Sequence, residues 1–436
     1  MGPLGITLIL FGSVMVSLLA GIPIAIALGG VSVLMIYLFW GPSAVATLAM
    51  NGFSVTSGFE FMAIPLFIFM ANMLHHSRIA DDLYATMYHF FGRLRGGLAA
   101  GSVVICTIFA AMAGISGAAT ISMGVVALPS MLKRGYSKDI ALGSIAAGGS
   151  LGILIPPSVT MIVYGLVSGT SIGKLYVGGV LPGLMLSALF ISYILIRSWL
   201  RPELAPSDVD QARWTIRESA GQLKALVFPL ILVASVLGSI VAGVASISEA
   251  AAVGAVGSIA AAGLKGRWTW PVIREVCVQT LLLTCLIFWI IIGASALSTF
   301  YAAMGAASLI QGIVLGWDVN RYVILLGITV ILLVMGTVID TVGIIMIAAP
   351  VFVPIIAALE FDLVWFGVLF IVNMEAGFLT PPFGYNLFYL KGVAPPDVTM
   401  GDIYRSVLPF ILLMFFGMGL LVLFPAIVLV LPDALF

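Results

Sequence analysis

Apolar runs of roughly 20 residues recur from one end of the chain to the other, the length a helix needs to cross a hydrocarbon core. Lipid offers no partner to a backbone N–H or C=O, so each run must close its hydrogen bonds internally as a helix. At 62% hydrophobic and 8% charged over 436 residues, the chain has too little polar surface to cover a water-soluble domain of this size. An all-α polytopic membrane protein is expected. The first 20 residues hold no Lys or Arg, so they read as a first spanning helix and not as a cleaved leader. The zero net charge gives no reason to expect a nucleic acid. Cys106, Cys277 and Cys285 read as small buried residues inside apolar runs.

The polar breaks divide the chain into two halves with the same order of parts. In the first, spans are expected near residues 4–20, 22–40 and 56–75, an amphipathic stretch near 79–94 and a helix pair near 97–132. A broken span near 139–168 and a full span near 174–197 complete it. In the second, spans fall near 224–243, 246–264 and 272–300, then a short segment near 304–316 and a helix pair near 321–357. A broken span near 363–390 and a final span near 403–430 follow. Residues 1–200 are thus read as one repeat, 201–222 as a cytoplasmic linker and 223–436 as a second repeat.

Charge sets the topology. If each helix pair is re-entrant, each half crosses the membrane an odd number of times and the second repeat is inverted. That arrangement puts sixteen of the eighteen Lys and Arg on one side, leaving only Lys174 and Arg321 on the other. The crowded side is then cytoplasmic and both termini face the periplasm or exterior.

The broken spans read GSLGILIPPS at residues 149–158 and EAGFLTPPFG at 375–384. Proline withholds an amide and clashes with the carbonyl four residues back, and Gly152 and Gly377 stand four before each proline pair. Such a break survives at membrane depth only where it is enclosed by protein or lines a polar cavity. Freed carbonyls there suit a small hard cation, and the adjoining half-helix N-terminus suits a carboxylate. Interrupted spans at matching places in inverted halves therefore point to a transporter's central site.

Carboxylates within apolar segments are costly and invite a functional reading. Asp340 is the foremost, at the tip of the second helix pair beside Thr337 and Thr341; Glu375 opens the second break. Glu60 and Glu249 lie outside the breaks, where structural pairing is the expected role. Ser116, Thr120 and Ser150 offer hydroxyls at the first break, against a packing role that small residues serve equally well. Asn386 could bind substrate or cap a helix, and Tyr164 and Tyr389 read as packing residues. The aromatic, charged stretch 81–95 reads as a helix lying at the cytoplasmic interface, with His75, His76 and His89 as surface residues in or beside it. Gly114-Ile-Ser116-Gly117 fits a short pattern of intramembrane serine proteases, but with every histidine placed at the surface an enzyme is not expected. HExxH and Walker motifs are absent from the sequence, and paired breaks suit alternating access better than a fixed pore.

The stretches GISGAATISMGVVALPSM, GGSLGILIPPSVTMIVYGLVSGTSIGKLYVGGVLPG and GFLTPPFGYNLFYLKGVAP resemble the large membrane subunit of TRAP (tripartite ATP-independent periplasmic) transporters, over essentially the whole chain. The resemblance implies sodium-coupled, elevator-type uptake of an organic acid across the inner membrane, with Na+ as coupling ion and no other cofactor. It also implies two partners, a small four-helix membrane subunit and a periplasmic substrate-binding protein. One cation site would involve Ser116, Gly117, Thr120 and the backbone of Gly149, Ser150, Gly152 and Pro156. The mirrored site would involve Thr337, Asp340, Thr341, Glu375, Gly377 and Pro381. Substrate would lie between the tips, near Ser116, Pro157, Ser158, Thr380, Pro382 and Asn386. A self-sufficient dicarboxylate or citrate symporter, needing no partners, is the alternative that the residues leave open.

Overall fold

The computed structural model describes residues 2–436 apart from 78, 115, 208–215, 306–311, 313, 315, 317 and 318. It is helical, with no strand among the described residues. The first half begins with α1 (Pro3–Leu19), α2 (Ile24–Trp40), α3 (Ala46–Ser57) and α4 (Ala63–His76), followed by α5 (Ile79–Phe91) over the expected interfacial stretch. The first helix pair is α6 (Gly97–Ala113) and α7 (Ser116–Lys133). The broken span is α8 (Lys138–Ser150) and α9 (Val159–Ser168), and α10 (Ile172–Leu200) closes the half.

The second half runs through α11 (Ile216–Val241), α12 (Ile247–Leu264) and α13 (Trp270–Ala303) to the second helix pair, α14 (Arg321–Gly336) and α15 (Thr341–Ala358). Its broken span is α16 (Leu363–Leu379) and α17 (Tyr385–Val393), followed by α18 (Met400–Leu423) and α19 (Ala426–Leu435). Among the described residues six helices, counting the short turn 59–62 with α4 and including α15 of the second helix pair, are long and apolar enough to cross a membrane alone; α6, α9, α14 and α16 are shorter apolar helices. Most of the short segment expected near 304–316 lies outside the described residues.

Packing relates the halves. α2 crosses α13 as α4 crosses α12, and α6 lies on α8 as α14 lies on α16. α7 packs on α17 as α15 packs on α9, and α8 packs on α18 as α16 packs on α10. In these pairs, replacing each helix by the one at the same place in the other half turns one contact into the other. At the α2–α13 crossing, a Cβ on Gly293 would stand 2.8 Å from the Gly29 nitrogen, so only glycine permits this approach. Ser32 Oγ then reaches the Gly293 carbonyl at 3.2 Å, one of the short interhelical bonds that small residues allow.

Several elements differ from expectation. The final span stops at Leu423, because Pro425 has no amide to continue the ladder, and α19 packs separately against α10 and α16. α3 is an additional helix of 12 residues before α4. Cys277 and Cys285 are exposed on α13 and only Cys106 is buried, since most of that long helix faces outward. His75 is partly buried and bonded to Ser122 Oγ of α7 at 2.7 Å, so it joins α4 to the first helix pair. Glu60 is exposed in a short turn before α4. Glu249 completes a capping box with Ser246 at the start of α12, a structural role for that carboxylate. At the start of α8, Lys138 meets Asp397 of the α17–α18 loop at 3.0 Å and holds its carboxyl below the usual range.

Candidate functional site

Both breaks interrupt the helical ladder where the prolines require it. α8 ends at Ser150 in a short 3-10 turn, Leu151–Ile153, and helix resumes only at Val159. Ser158 bridges this gap: its Oγ donates to the Ile153 carbonyl at 2.5 Å and accepts from the Met161 amide at 3.3 Å as the N-cap of α9. In the second break α16 ends at Leu379 and α17 begins at Tyr385. A Cβ on Gly384 would meet the Phe378 carbonyl carbon at 2.9 Å, so this turn closes only around glycine. Pro156–Pro157 and Pro381–Pro382 are both cis. The first break is wholly buried, whereas Pro382 and Phe383 of the second are exposed.

Each helix-pair tip rests on the break of its own half. A Cβ on Gly114 would press on the Pro157 carbonyl and lie 3.4 Å from Ser158 Cα, while one on Gly149 would lie 3.0 Å from Thr120 Cα. In the second half Gly336 and Gly377 meet backbone to backbone, a Cβ on Gly377 falling 2.8 Å from Gly336 Cα. Gly377 is thus needed for close approach inside α16, and not for the turn its place before the prolines suggested. Gly152 is buried in the 3-10 turn, without a positive φ.

The two tips face one another across a cavity of about 300 Å³. Gly114, Ser116 and Gly117 line it from the first tip, and Asp340, Thr341 and Val342 from the second. Ile153, Val159 and Thr160 of the first broken span and Phe378, Tyr385 and Tyr389 of the second form further walls. Ile24 of α2 and Leu283, Leu286, Ile287 and Ile290 of α13 close an apolar side.

Four helices therefore begin at this cavity: α7 at Ser116, α9 at Val159, α15 at Thr341 and α17 at Tyr385. Helix N-termini carry unpaired amides and partial positive charge, which favour an anion. Asp340 caps α15, accepting from the Val342 and Gly343 amides at 3.1 Å each, and Gly384 gives α17 no side-chain cap. Among the described residues no Lys or Arg lines the cavity, and Asp340 is the one formally charged wall residue.

The residues singled out from sequence divide accordingly. Ser116, Gly117, Asp340 and Thr341 come together at the cavity. Thr120, Gly149, Ser150, Gly152, Pro156 and Pro157 are buried around the first break, where the Thr120 and Ser150 hydroxyls donate to the Ser116 and Ala147 carbonyls. Thr337 and Thr380 turn back onto their own helices, donating to the Val334 and Ala376 carbonyls. Ser158 spans its break, Pro381 stands in the second, and the Pro382 carbonyl accepts from Tyr404 at 2.7 Å; none of the three lines the cavity. Asn386 is fully buried behind the cavity, its Nδ2 donating to the Ala146 carbonyl at 3.3 Å and its Oδ1 without a partner. Glu375 is also fully buried in α16, and neither carboxyl oxygen has a hydrogen-bond partner.

Thr160 and Phe378 were missed. Thr160 could have been found as a hydroxyl in the first turn of a half-helix. Phe378 needed the fold of the second break. Tyr389 was read as packing and instead lines the cavity, where a Cβ on Gly117 would lie 2.9 Å from its ring. Tyr164, its counterpart, does pack, with its ring 5.4 Å from that of Phe370.

Paired helices and broken spans closing on a central cavity define a multi-pass membrane carrier. The comparisons give the family. Residues 11–427 match the model for the tripartite ATP-independent periplasmic transporter, DctM component. The C4-dicarboxylate TRAP transporter large permease protein DctM of Rhodobacter capsulatus is 32% identical, covering 98% of this chain and 99% of its own. The ectoine TRAP transporter large permease protein TeaC of Halomonas elongata is 30% identical, covering 99% and 100%. The YdaH transporter of Alcanivorax borkumensis shares the fold, with a TM-score of 0.63 over 87% of this chain and 88% of that one at 16% identity. The chain belongs to the DctM family: it is the large permease component of a TRAP transporter, and not an enzyme.

Proposed function

We propose that this permease carries an organic acid through the cavity between the two tips, coupled to sodium. The observation that carries the reading is the charge balance of that cavity. Four helix N-termini converge on about 300 Å³ that, among the described residues, holds one carboxylate and no basic side chain. A substrate carboxylate fits the N-termini but is repelled by Asp340 at short range in a low-dielectric setting. A small hard cation at the carboxylate and freed carbonyls removes that repulsion, so ion and acid bind together. Thr341 Oγ1, Asn386 Oδ1 and the Glu375 carboxyl, buried without partners, are oxygen donors of the type such an ion takes. The relatives named for C4-dicarboxylate and ectoine transport support a small carboxylate-bearing substrate.

In this reading the helix pairs and broken spans move together against α2, α4, α12 and α13, carrying the cavity across the membrane. A small four-helix membrane subunit braces the static helices, and a periplasmic binding protein delivers the acid. The basic loops face the cytoplasm and both termini face outward. Asp340→Asn tests the coupling: half-maximal uptake should require about tenfold more sodium, at unchanged protein level. Unaltered sodium dependence would remove Asp340 from the cation site.

A further inference from the structure

A second groove, of about 540 Å³, lies away from the central cavity along the end of α10. Leu189, Tyr193, Ile196, Arg197, Leu200 and Arg201 form one stripe at three- and four-residue spacing, and Leu413 of α18 closes the other side. The groove is apolar at the Leu189–Leu413 end and carries two guanidiniums, one turn apart, at the other. At 1.5 Å per residue, Leu189 to Arg201 covers about 18 Å, close to the roughly 15 Å of hydrocarbon in one leaflet. Trp199, 72% exposed on the same turn, sits where interfacial tryptophans sit. The Lys/Arg asymmetry assigns this end to the cytoplasmic leaflet, where anionic lipids attract basic residues.

Neither arginine is spent on a carboxylate, and Tyr193 is the side chain that Arg197 meets. Neither forms an ion pair among the described residues, and Arg197 Nε is buried without a hydrogen bond while its guanidinium lies 5.8 Å from the Tyr193 ring centroid. Asp139 is near enough to act on Tyr193 but pairs with neither arginine. A buried, unpaired guanidinium donor calls for an acceptor, and a phosphate can take bonds from both forks.

We propose that this groove binds an anionic phospholipid of the cytoplasmic leaflet. Its phosphate is held between Arg197 and Arg201, and an acyl chain lies along Ile196, Leu200, Leu189 and Leu413. The apolar continuation selects a lipid over free phosphate.

The test is native mass spectrometry of the full chain released from vesicles of equal phosphatidylglycerol and phosphatidylcholine. The expected result is at least tenfold enrichment of phosphatidylglycerol adducts in the wild type. That enrichment should be lost in R197Q/R201Q and kept in R267Q/R274Q, a basic pair outside the groove. Equal retention of both lipids, or enrichment indifferent to R197Q/R201Q, would show that the arginines only snorkel to the interface. Competition of the adducts by inorganic phosphate would also overturn the lipid assignment. A photoactivatable phosphatidylglycerol, used on the wild type alone, should label peptides within residues 189–201 and around Leu413. Labelling confined to other helices would overturn the proposal whatever the variants do.

Discussion

Gly377→Ala probes how the second helix pair is seated on its broken span. An added Cβ would stand 2.8 Å from Gly336 Cα, 2.9 Å from its carbonyl carbon and 3.1 Å from its oxygen. These are backbone atoms, so no rotamer change relieves the contact. Ordinary carbon contacts need roughly 3.5 Å or more, so α14 and α16 must part by about 0.7 Å at the tip. Overpacking of this kind costs about 1–3 kcal/mol, and here the displacement falls beside the turn that carries Asp340 into the cavity. The variant should insert at wild-type levels, unfold at a lower temperature and lose at least tenfold in uptake rate. Gly336→Ala, whose Cβ would be 3.2 Å from Gly377 Cα, should show the same defect in milder form. Gly392→Ala, with nothing within 4 Å, should show none. The assays are a detergent melting curve and uptake into proteoliposomes normalised to inserted protein. Wild-type melting and uptake for Gly377→Ala would refute the close-packed seating.

Replacing Pro156 and Pro157 together by Ala should restore amides, extend helix through the first break and abolish uptake while leaving insertion intact; normal uptake would remove the functional reason for the break. Tyr389→Ala opens the cavity over Gly117 and should raise KM about tenfold or more with little change in melting, whereas a pure packing role would move melting and leave KM alone. Ser158→Ala removes an N-cap and a side-chain bond bridging the first break, so stability should fall by about 1–2 kcal/mol; an unshifted melting curve contradicts that role.

Most of the fold was legible because its signals are local. Apolar run length marks helices, and Pro156–Pro157 and Pro381–Pro382 mark breaks wherever the helices later pack. The helix pairs at 97–132 and 321–357 appear as α6–α7 and α14–α15, and the broken spans match to within a few residues. Where the end of the last span was misjudged, Pro425 carried the missing signal within an otherwise apolar run. The site was legible in part. Asp340 and Ser116 stand at tips, a position readable from the turn pattern, and both reach the cavity. Asn386 and Tyr389 differ by three residues on one short helix, and only the rotation of α17 decides that tyrosine lines the cavity while asparagine turns to Ala146. Likewise the Gly336–Gly377 contact joins residues 41 positions apart within the second half, invisible until α14 packs on α16.

The central claim is that cation and acid share the cavity between the tips. Its most direct measurement uses proteoliposomes holding this chain with its small subunit, and the loaded binding protein outside. Uptake is followed with and without an inward sodium gradient at equal ionic strength. Accumulation of the delivered acid above its external concentration only when the sodium gradient is present is the predicted result. Equal accumulation in sodium-free medium under a proton gradient alone would contradict it.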